Sequence, residues 1–364
     1  MRNRFHSLCP YFAMFPESFA ARWINRLTRP GDTILDPFSG RGTTALTATL
    51  AGRCAVSCDV NDVAFCLTKA KTNAPVLDSV VTRLAVLKRG FESRKWARDA
   101  QQSPEFFQYA YSADTLSQLL YLRESLEWRT SRVDNMLAAL VLGSLHGESR
   151  ASPNYFSNQM PRTISTKPAY SVRFWQRHAM QAPARDVFEI LRGRAAYRYE
   201  SPIPRQASLV LHTDMRNLPR ELKRWTRPIR CVITSPPYLN VTNFEEDQWL
   251  RLWFLGGPPH PTRGRVSRDD RYERPDQYWS FVADLWRSLG AVLAADAHVV
   301  IRIGSRSMAP KKLKQVLSAT SQLSKRKVHL ISARVSQMRN RQTDVFNPGS
   351  TGCSYELDCH FRVS

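Results

Sequence analysis

The chain has 364 residues, 43% of them hydrophobic, enough for a large buried core, which excludes wholesale disorder. Lys and Arg number 53 against 31 Asp and Glu, a formal net charge of +22 with pI near 10.2, so a polyanion such as nucleic acid is the expected partner. No apolar run reaches membrane-spanning length and MRNRFHSLCPYF at the start lacks an extended apolar segment, so neither a membrane span nor secretion is expected.

In chain order, residues 16–29 come first. Phe19, Trp23, Ile24 and Leu27 recur at helical spacing, and Pro30–Gly31 ends the pattern. Next come a strand at Thr33–Leu35, a glycine-bearing loop, a helix over about 43–51, a stop at Gly52 and a strand at Ala55–Cys58. Strand, helix and strand in so few residues predict parallel strands joined by a right-handed crossover.

Residues 70–205 break this alternation. They hold helical patches such as TLSQLLYLRESLEWR and VDNMLAALVLGSLHGES, and the basic, aromatic stretch NYFSNQMPRTISTKPAYSVRFWQRH at 154–178. The alternation then resumes with SLVLHTD (208–214), CVITS (231–235), a helix over 277–295, HVVIRIG (298–304), KVHLISARVS (327–336) and SYELDCHFRV (354–363). Seven strands with helices between them predict an open α/β sheet, and the turn-rich segment before the last strand predicts a final antiparallel pair. The expected division is 1–69 and 206–364 as two parts of one domain, with 70–205 a helical, basic insertion. Cys9, Cys54, Cys58, Cys66, Cys231, Cys353 and Cys359 include no CxxC pair and several sit in apolar runs. They are expected to be reduced, mostly buried thiols of a cytoplasmic protein, and no metal site is expected.

Two motifs carry chemistry. DPFSGRGTT (36–44) follows the first strand and opens a helix. Gly40 and Gly42 allow a tight turn and a close approach to a ligand. The Lys-Ser/Thr of a phosphate-binding loop is missing, and so is the three-glycine dinucleotide pattern. Asp59, at the end of the second strand, can accept from both hydroxyls of a ribose. Asp214 in LHTDMRNL could bond the amine of an adenine or simply cap a helix; both readings stand. The second motif is TSPPY (234–238). Pro236 and Pro237 have no N–H, so the chain must leave the sheet rigidly at Ser235. Such a tip offers a short polar side chain, carbonyls of locked direction and the π-face of Tyr238, which suits a flat base bearing an exocyclic amine.

DPFSGRGTT and TSPPY together resemble the cofactor and catalytic motifs of the S-adenosylmethionine-dependent DNA amino-methyltransferases, over residues 15–60 and 205–364. The resemblance implies a Rossmann-like methyltransferase fold with a seven-stranded, mostly parallel sheet, a final antiparallel strand and a helical insertion. It implies that Asp36, Pro37, Phe38, Gly40, Gly42 and Thr43 line the S-adenosylmethionine pocket. Asp59 would take the ribose and Asp214 the adenine. Ser235, Pro236, Pro237 and Tyr238 would hold a base flipped out of double-stranded DNA.

Ser at the first position of the tetrapeptide is commonest among cytosine-N4 enzymes, so cytosine-N4 is expected, with adenine-N6 the alternative. The insertion falls between the second and third strands rather than the third and fourth, where the subgroup with this motif order carries its target reader. Its candidate DNA contacts are Arg162, Lys167, Arg173 and Arg177, interleaved with Tyr155, Phe156, Tyr170 and Trp175; a solvated basic face is the plainer reading. RGRVSRDDRYER (263–274) reads as a mobile loop near the DNA or as plain linker. Phe244, Glu245, Asp247 and Trp249 could line the base pocket, although Trp249, Leu252, Trp253 and Phe254 read better as an apolar helix face. By family analogy the role is restriction–modification, paired with a restriction endonuclease, as a monomer or weak dimer. An RNA (tRNA guanine) amino-methyltransferase and an inactive DNA-binding module of the same fold remain alternatives. Cytosine-C5 chemistry is excluded because no Pro-Cys dipeptide occurs, and zinc deamination because H-x-E and P-C-x-x-C are missing.

Overall fold

The computed structural model describes residues 2–11, 15–147, 153–157, 167–239, 244–262, 274–337 and 353–364. They fall into two compact units. A sheet unit comprises Ala13–Thr68, Pro204–Asn243 and Gly264–Ser364; a helical unit comprises Met1–Phe12, Lys69–Ile203 and Phe244–Arg263.

The sheet unit contains β1 (Thr33–Asp36), β2 (Cys54–Asp59), β3 (Ser208–His212), β4 (Ile229–Thr234), β5 (Leu293–Ile303), β6 (Val328–Gln337) and β7 (Tyr355–Val363). They form one seven-stranded sheet in the order β3-β2-β1-β4-β5-β7-β6. The first five of these positions pair in parallel, while β7 runs antiparallel to both β5 and β6. This is the Rossmann-like methyltransferase fold that the sequence implies. Strand order reverses between β1 and β4, and ligands of open α/β sheets bind beyond the strand ends at such a switch point.

Parallel strands are covered on both faces, so alternate residues feed two cores. On one face Ile34, Ala55, Cys231, Ile233 and Val300 meet Phe19, Ala20, Trp23 and Ile24 of helix Glu17–Leu27. On the other, Leu35, Val56, Val232, Val299 and Ile301 meet Phe281, Leu285, Trp286 and Leu289 of helix Pro275–Val292. One boundary corrects the sequence reading. The helix expected over 277–295 ends at Val292, and Leu293 already pairs with Ile229 in the sheet. Residues 293–295 are Leu-Ala-Ala, good helix formers, but the ladder with β4 outweighs that local preference.

His298 on β5 and His360 on β7 share a hydrogen bond of 3.0 Å, and the Trp23 ring lies 5.2 Å from that of His360. Burial pushes both imidazoles down, His360 to about 4. A folded-state value below the unfolded one means stability is present above pH 6.5 and lost as pH falls towards 4. A His360→Gln variant should lack this loss. Between pH 6 and 4.5 the slopes of unfolding free energy against pH should differ by about one proton, read by urea titration of both proteins. Parallel slopes would refute the assignment.

The helical unit holds no strand among its described residues. Its core is aromatic. Phe106 packs on Trp175 (5.4 Å between centroids) and Trp249 (4.9 Å), and Phe107 on Trp253 (4.3 Å). Trp249, Trp253 and Phe254 are buried, as an apolar helix face requires. All seven cysteines are free and buried. Among the described residues no helix is long and apolar enough to cross a membrane.

Candidate cofactor and target-base site

The carboxyl ends of β2, β1 and β4 are joined by side chains. Asp36, the last residue of β1, is 2% exposed, and its Oδ1 accepts from the Thr234 hydroxyl (2.7 Å) and the Phe38 N–H (3.2 Å). Thr234 ends β4 immediately before Ser235, so one hydrogen bond fastens the tetrapeptide's strand to the cofactor loop's strand. The Thr44 hydroxyl donates to the Ile233 carbonyl (3.1 Å), tying helix Thr43–Leu50 to β4 as well.

The glycine loop is held from the β2 side. Asp59 Oδ2 accepts from the Gly40 N–H (2.9 Å) and Oδ1 from the Asn61 N–H (3.0 Å). Gly42 has φ 74°, and a Cβ there would lie 2.8 Å from Thr68 Oγ1 and 3.0 Å from Thr68 Cα. Only glycine meets both demands. The Phe38 ring packs on Phe281 at 5.4 Å.

These two acids are unusual electrostatically. Burial raises Asp36 to about 7 and Asp59 to about 6, against hydrogen bonds that favour the ionised forms. The Gly40 and Asn61 N–H groups take one position on each Asp59 oxygen and the Val60 N–H also favours the ionised form, so part of the carboxylate's four-fold acceptor capacity remains for a ribose hydroxyl.

Beyond β4 the two prolines carry the chain out of the sheet. The Ser235 hydroxyl donates to the Tyr238 hydroxyl (3.3 Å), which donates to Glu356 Oε1 (3.1 Å). The Tyr238 ring is wedged, since a Cβ on Gly304 would lie 2.9 Å from its Cε2. Arg302 on β5 pairs with Glu356 (3.0 Å) and holds Asp358 through two bonds of 2.7 and 2.8 Å. Burial raises both the Tyr238 phenol and the Glu356 carboxyl.

The sheet thus gathers Asp36, Phe38, Gly40, Gly42, Thr43, Asp59, Ser235 and Tyr238 at one end of adjacent strands. Asp214 follows β3 and caps the turn Met215–Asn217, accepting from the Arg216 N–H (2.9 Å) and pairing with its guanidinium (2.8 and 2.7 Å). Sequence reasoning quoted Thr234 and Thr44 within its two motifs without giving them a role, and missed Thr68, Arg302 and Glu356. Only Glu356 and Asp358 left a trace, as acids alternating in the apolar run of the last strand.

The candidate nucleic-acid contacts lie in the helical unit. Lys167, Arg173 and Arg177 are exposed, the arginines one turn apart on helix Pro168–Arg177. Tyr170, Phe174 and His178 line up beside them, with centroids 6.4 and 4.5 Å apart. Trp175 and Phe156 are fully buried and belong to the core rather than to this surface. Arg162, residues 263–273 and the Phe244 side chain lie outside the described residues.

A family model for N6/N4 methyltransferases, described as "DNA methylase", matches residues 2–69. Comparison with curated proteins finds no match. Among solved structures, TrmN from Thermus thermophilus is similar over 100% of this chain at 13% identity and TM-score 0.38; the chain spans about half (53%) of TrmN. The rRNA methyltransferase aviRa from Streptomyces viridochromogenes is 15% identical with TM-score 0.36, covering 100% of this chain and 94% of its own. The strand order, the loop at its switch point and the DNA-methylase match across that loop support an S-adenosylmethionine-dependent methyltransferase, with S-adenosylmethionine as the methyl donor. The residues fit this group: Asp59 has acceptor capacity for a ribose hydroxyl, the half-buried Gly40 and Phe38 offer backbone access and an apolar wall, and the buried Gly42 lets the loop pack on Thr68 behind them.

A bound sulfonium cation and two ribose hydroxyl donors both favour ionised carboxyls. Binding should therefore lower the raised pKa values of Asp36 and Asp59, release about one proton near pH 6, and tighten as pH rises from 5.5 to 8. Titration calorimetry in buffers of differing ionisation enthalpy reads the proton count directly; equal heats in all buffers would contradict it.

Proposed function

We propose that the protein is a DNA methyltransferase that transfers the methyl group of S-adenosylmethionine to the exocyclic N4 amine of cytosine. The observation that carries this reading is the Thr234–Asp36 hydrogen bond of 2.7 Å, which couples the Ser-Pro-Pro-Tyr tip to the cofactor loop at the switch point. Asp36, Pro37, Phe38, Gly40, Gly42 and Thr43 hold the cofactor with Asp59 on the ribose, and Asp214 faces the adenine. The cofactor supplies a methyl on a positively charged sulfur. Ser235 and a backbone carbonyl of the tetrapeptide take the amine's N–H groups and hold them off the ring plane, which frees the nitrogen lone pair. Tyr238 supplies a π-face for the base. Positioning then does most of the work, since aligned reactants can gain several orders of magnitude in effective concentration.

The net charge of +22 and the exposed Lys167, Arg173 and Arg177 support a nucleic-acid substrate, with Arg162 in the same basic stretch. A base inside a duplex must be extruded to reach the tip. Protection of host DNA beside a restriction endonuclease is the role in keeping with this chemistry. The test is incubation of purified protein with unmethylated genomic DNA and isotopically labelled S-adenosylmethionine, followed by digestion to nucleosides and mass spectrometry. Label on N4-methylcytosine is expected. Label on N6-methyladenine would overturn the base, and label on RNA alone would overturn the substrate.

A further inference from the structure

The hydrogen bonds behind Ser235 have a direction. Glu356, when ionised, can only accept. The Tyr238 hydroxyl has one proton and spends it on Glu356 at 3.1 Å. Its oxygen is then an acceptor, and the Ser235 hydroxyl spends its one proton there at 3.3 Å. What Ser235 offers outwards is lone pairs alone. The tip is thus polarised to accept from a donor such as an amine.

The far end of the chain is built to stay in place. Glu356 is the second residue of β7, a strand paired on both sides. Its side chain is 18% exposed and is braced by Arg302, which Asp358 grips from the other side. Among the described residues the charged and titratable groups around it are Arg302, Asp358 and Tyr238, with Arg334 on β6 opposite Asp358. Burial makes Glu356 a better proton acceptor than an exposed glutamate, and Arg302 opposes this only in part. The Tyr238 ring lies against Gly304, where a Cβ would come within 2.9 Å of its Cε2.

We propose that Glu356 is the terminal acceptor of the proton released by the target amine, reached through Ser235 and Tyr238; the proposal rests on the methyl-transfer reading above. The amine's lone pair forms the new N–C bond while the methyl–sulfur bond breaks and its electron pair stays on sulfur. The nitrogen, now positively charged, gives one proton to Ser235 Oγ. Ser235 gives its own to the Tyr238 oxygen, and Tyr238 gives its own to the Glu356 carboxylate. One proton has moved from nitrogen to carboxylate, and both hydroxyls remain hydroxyls. The partly exposed Glu356 then returns the proton to water. Glu356 touches no substrate atom, so it is a positioning and proton-accepting residue acting through the tetrapeptide.

The test compares the wild type with Glu356→Gln, Tyr238→Phe and the double variant. Single-turnover methyl transfer to DNA is followed at saturating S-adenosylmethionine from pH 5 to 8.5, with cofactor affinity and melting temperature measured alongside. Glutamine can still accept from Tyr238 but cannot take a proton, and Arg302 keeps Asp358. Glu356→Gln should bind cofactor normally, lose roughly 30- to 100-fold in rate and lose the acid limb of the pH–rate profile. Tyr238→Phe keeps the ring and breaks the relay, so it should lose as much, and the double variant no more. A Glu356→Gln rate within twofold of wild type with an unchanged profile would overturn the proposal. So would additive losses in the double variant. Should Glu356→Gln fail to fold, Tyr238→Phe decides alone by the same twofold criterion. A wild type that binds cofactor but methylates no DNA would instead sink the methyl-transfer reading, and the relay with it.

Discussion

Replacing Ser235 with Ala should lower methyl transfer by roughly 10²–10³-fold while leaving S-adenosylmethionine affinity within about threefold, the scale for losing one preorganised hydrogen-bonding group at a reacting centre. The split follows from the geometry. The bond that fastens β4 to the cofactor side comes from Thr234, not Ser235. Ser235 reaches the other way, to Tyr238. Its removal takes away the acceptor for the amine but leaves both prolines, the strand and the loop intact. A Thr234→Val variant provides the contrast, because it cuts the link to buried Asp36 and should weaken cofactor binding as well. Initial rates with labelled cofactor, together with calorimetric affinities, separate the two. A Ser235→Ala protein retaining more than about a third of the wild-type rate would rule out the tip as the reacting centre.

Asp59→Ala should raise the dissociation constant for S-adenosylmethionine by about 100-fold or more. Hydrogen bonds to a charged acceptor contribute about 1.5–3 kcal/mol each, and a ribose diol would lose two. The side chain also anchors the loop through the Gly40 N–H at 2.9 Å, so its loss loosens the backbone that must approach the cofactor. Asp59→Asn keeps one acceptor oxygen and should fall between. Both variants should also lose Asp59's part of the proton release, because the carboxyl that burial raises to about 6 is gone. Calorimetry gives affinity and proton count in one experiment. An affinity within threefold of wild type would place the ribose elsewhere.

What the sequence by itself determined was local. Short apolar runs alternating with helical stretches marked seven strands, Gly40 and Gly42 marked a loop needing unusual backbone angles, and Pro236–Pro237 marked where β4 must end. Each signal is carried by neighbouring residues, because side-chain direction, glycine's freedom and proline's missing N–H act over a few bonds. The tertiary structure decided what those pieces meet. Thr234 and Asp36 are 198 positions apart and Tyr238 and Glu356 are 118 apart, so no spacing rule joins them. The helical unit likewise draws on three separate stretches of chain, and Trp175, placed by the sequence on a basic surface, is buried in its core. Strand order, the ladder that claims Leu293 from its helix, and the carboxylate behind Tyr238 all depend on long-range pairing. Its energy comes from burial and hydrogen bonds between segments, and these exist only once the chain has folded.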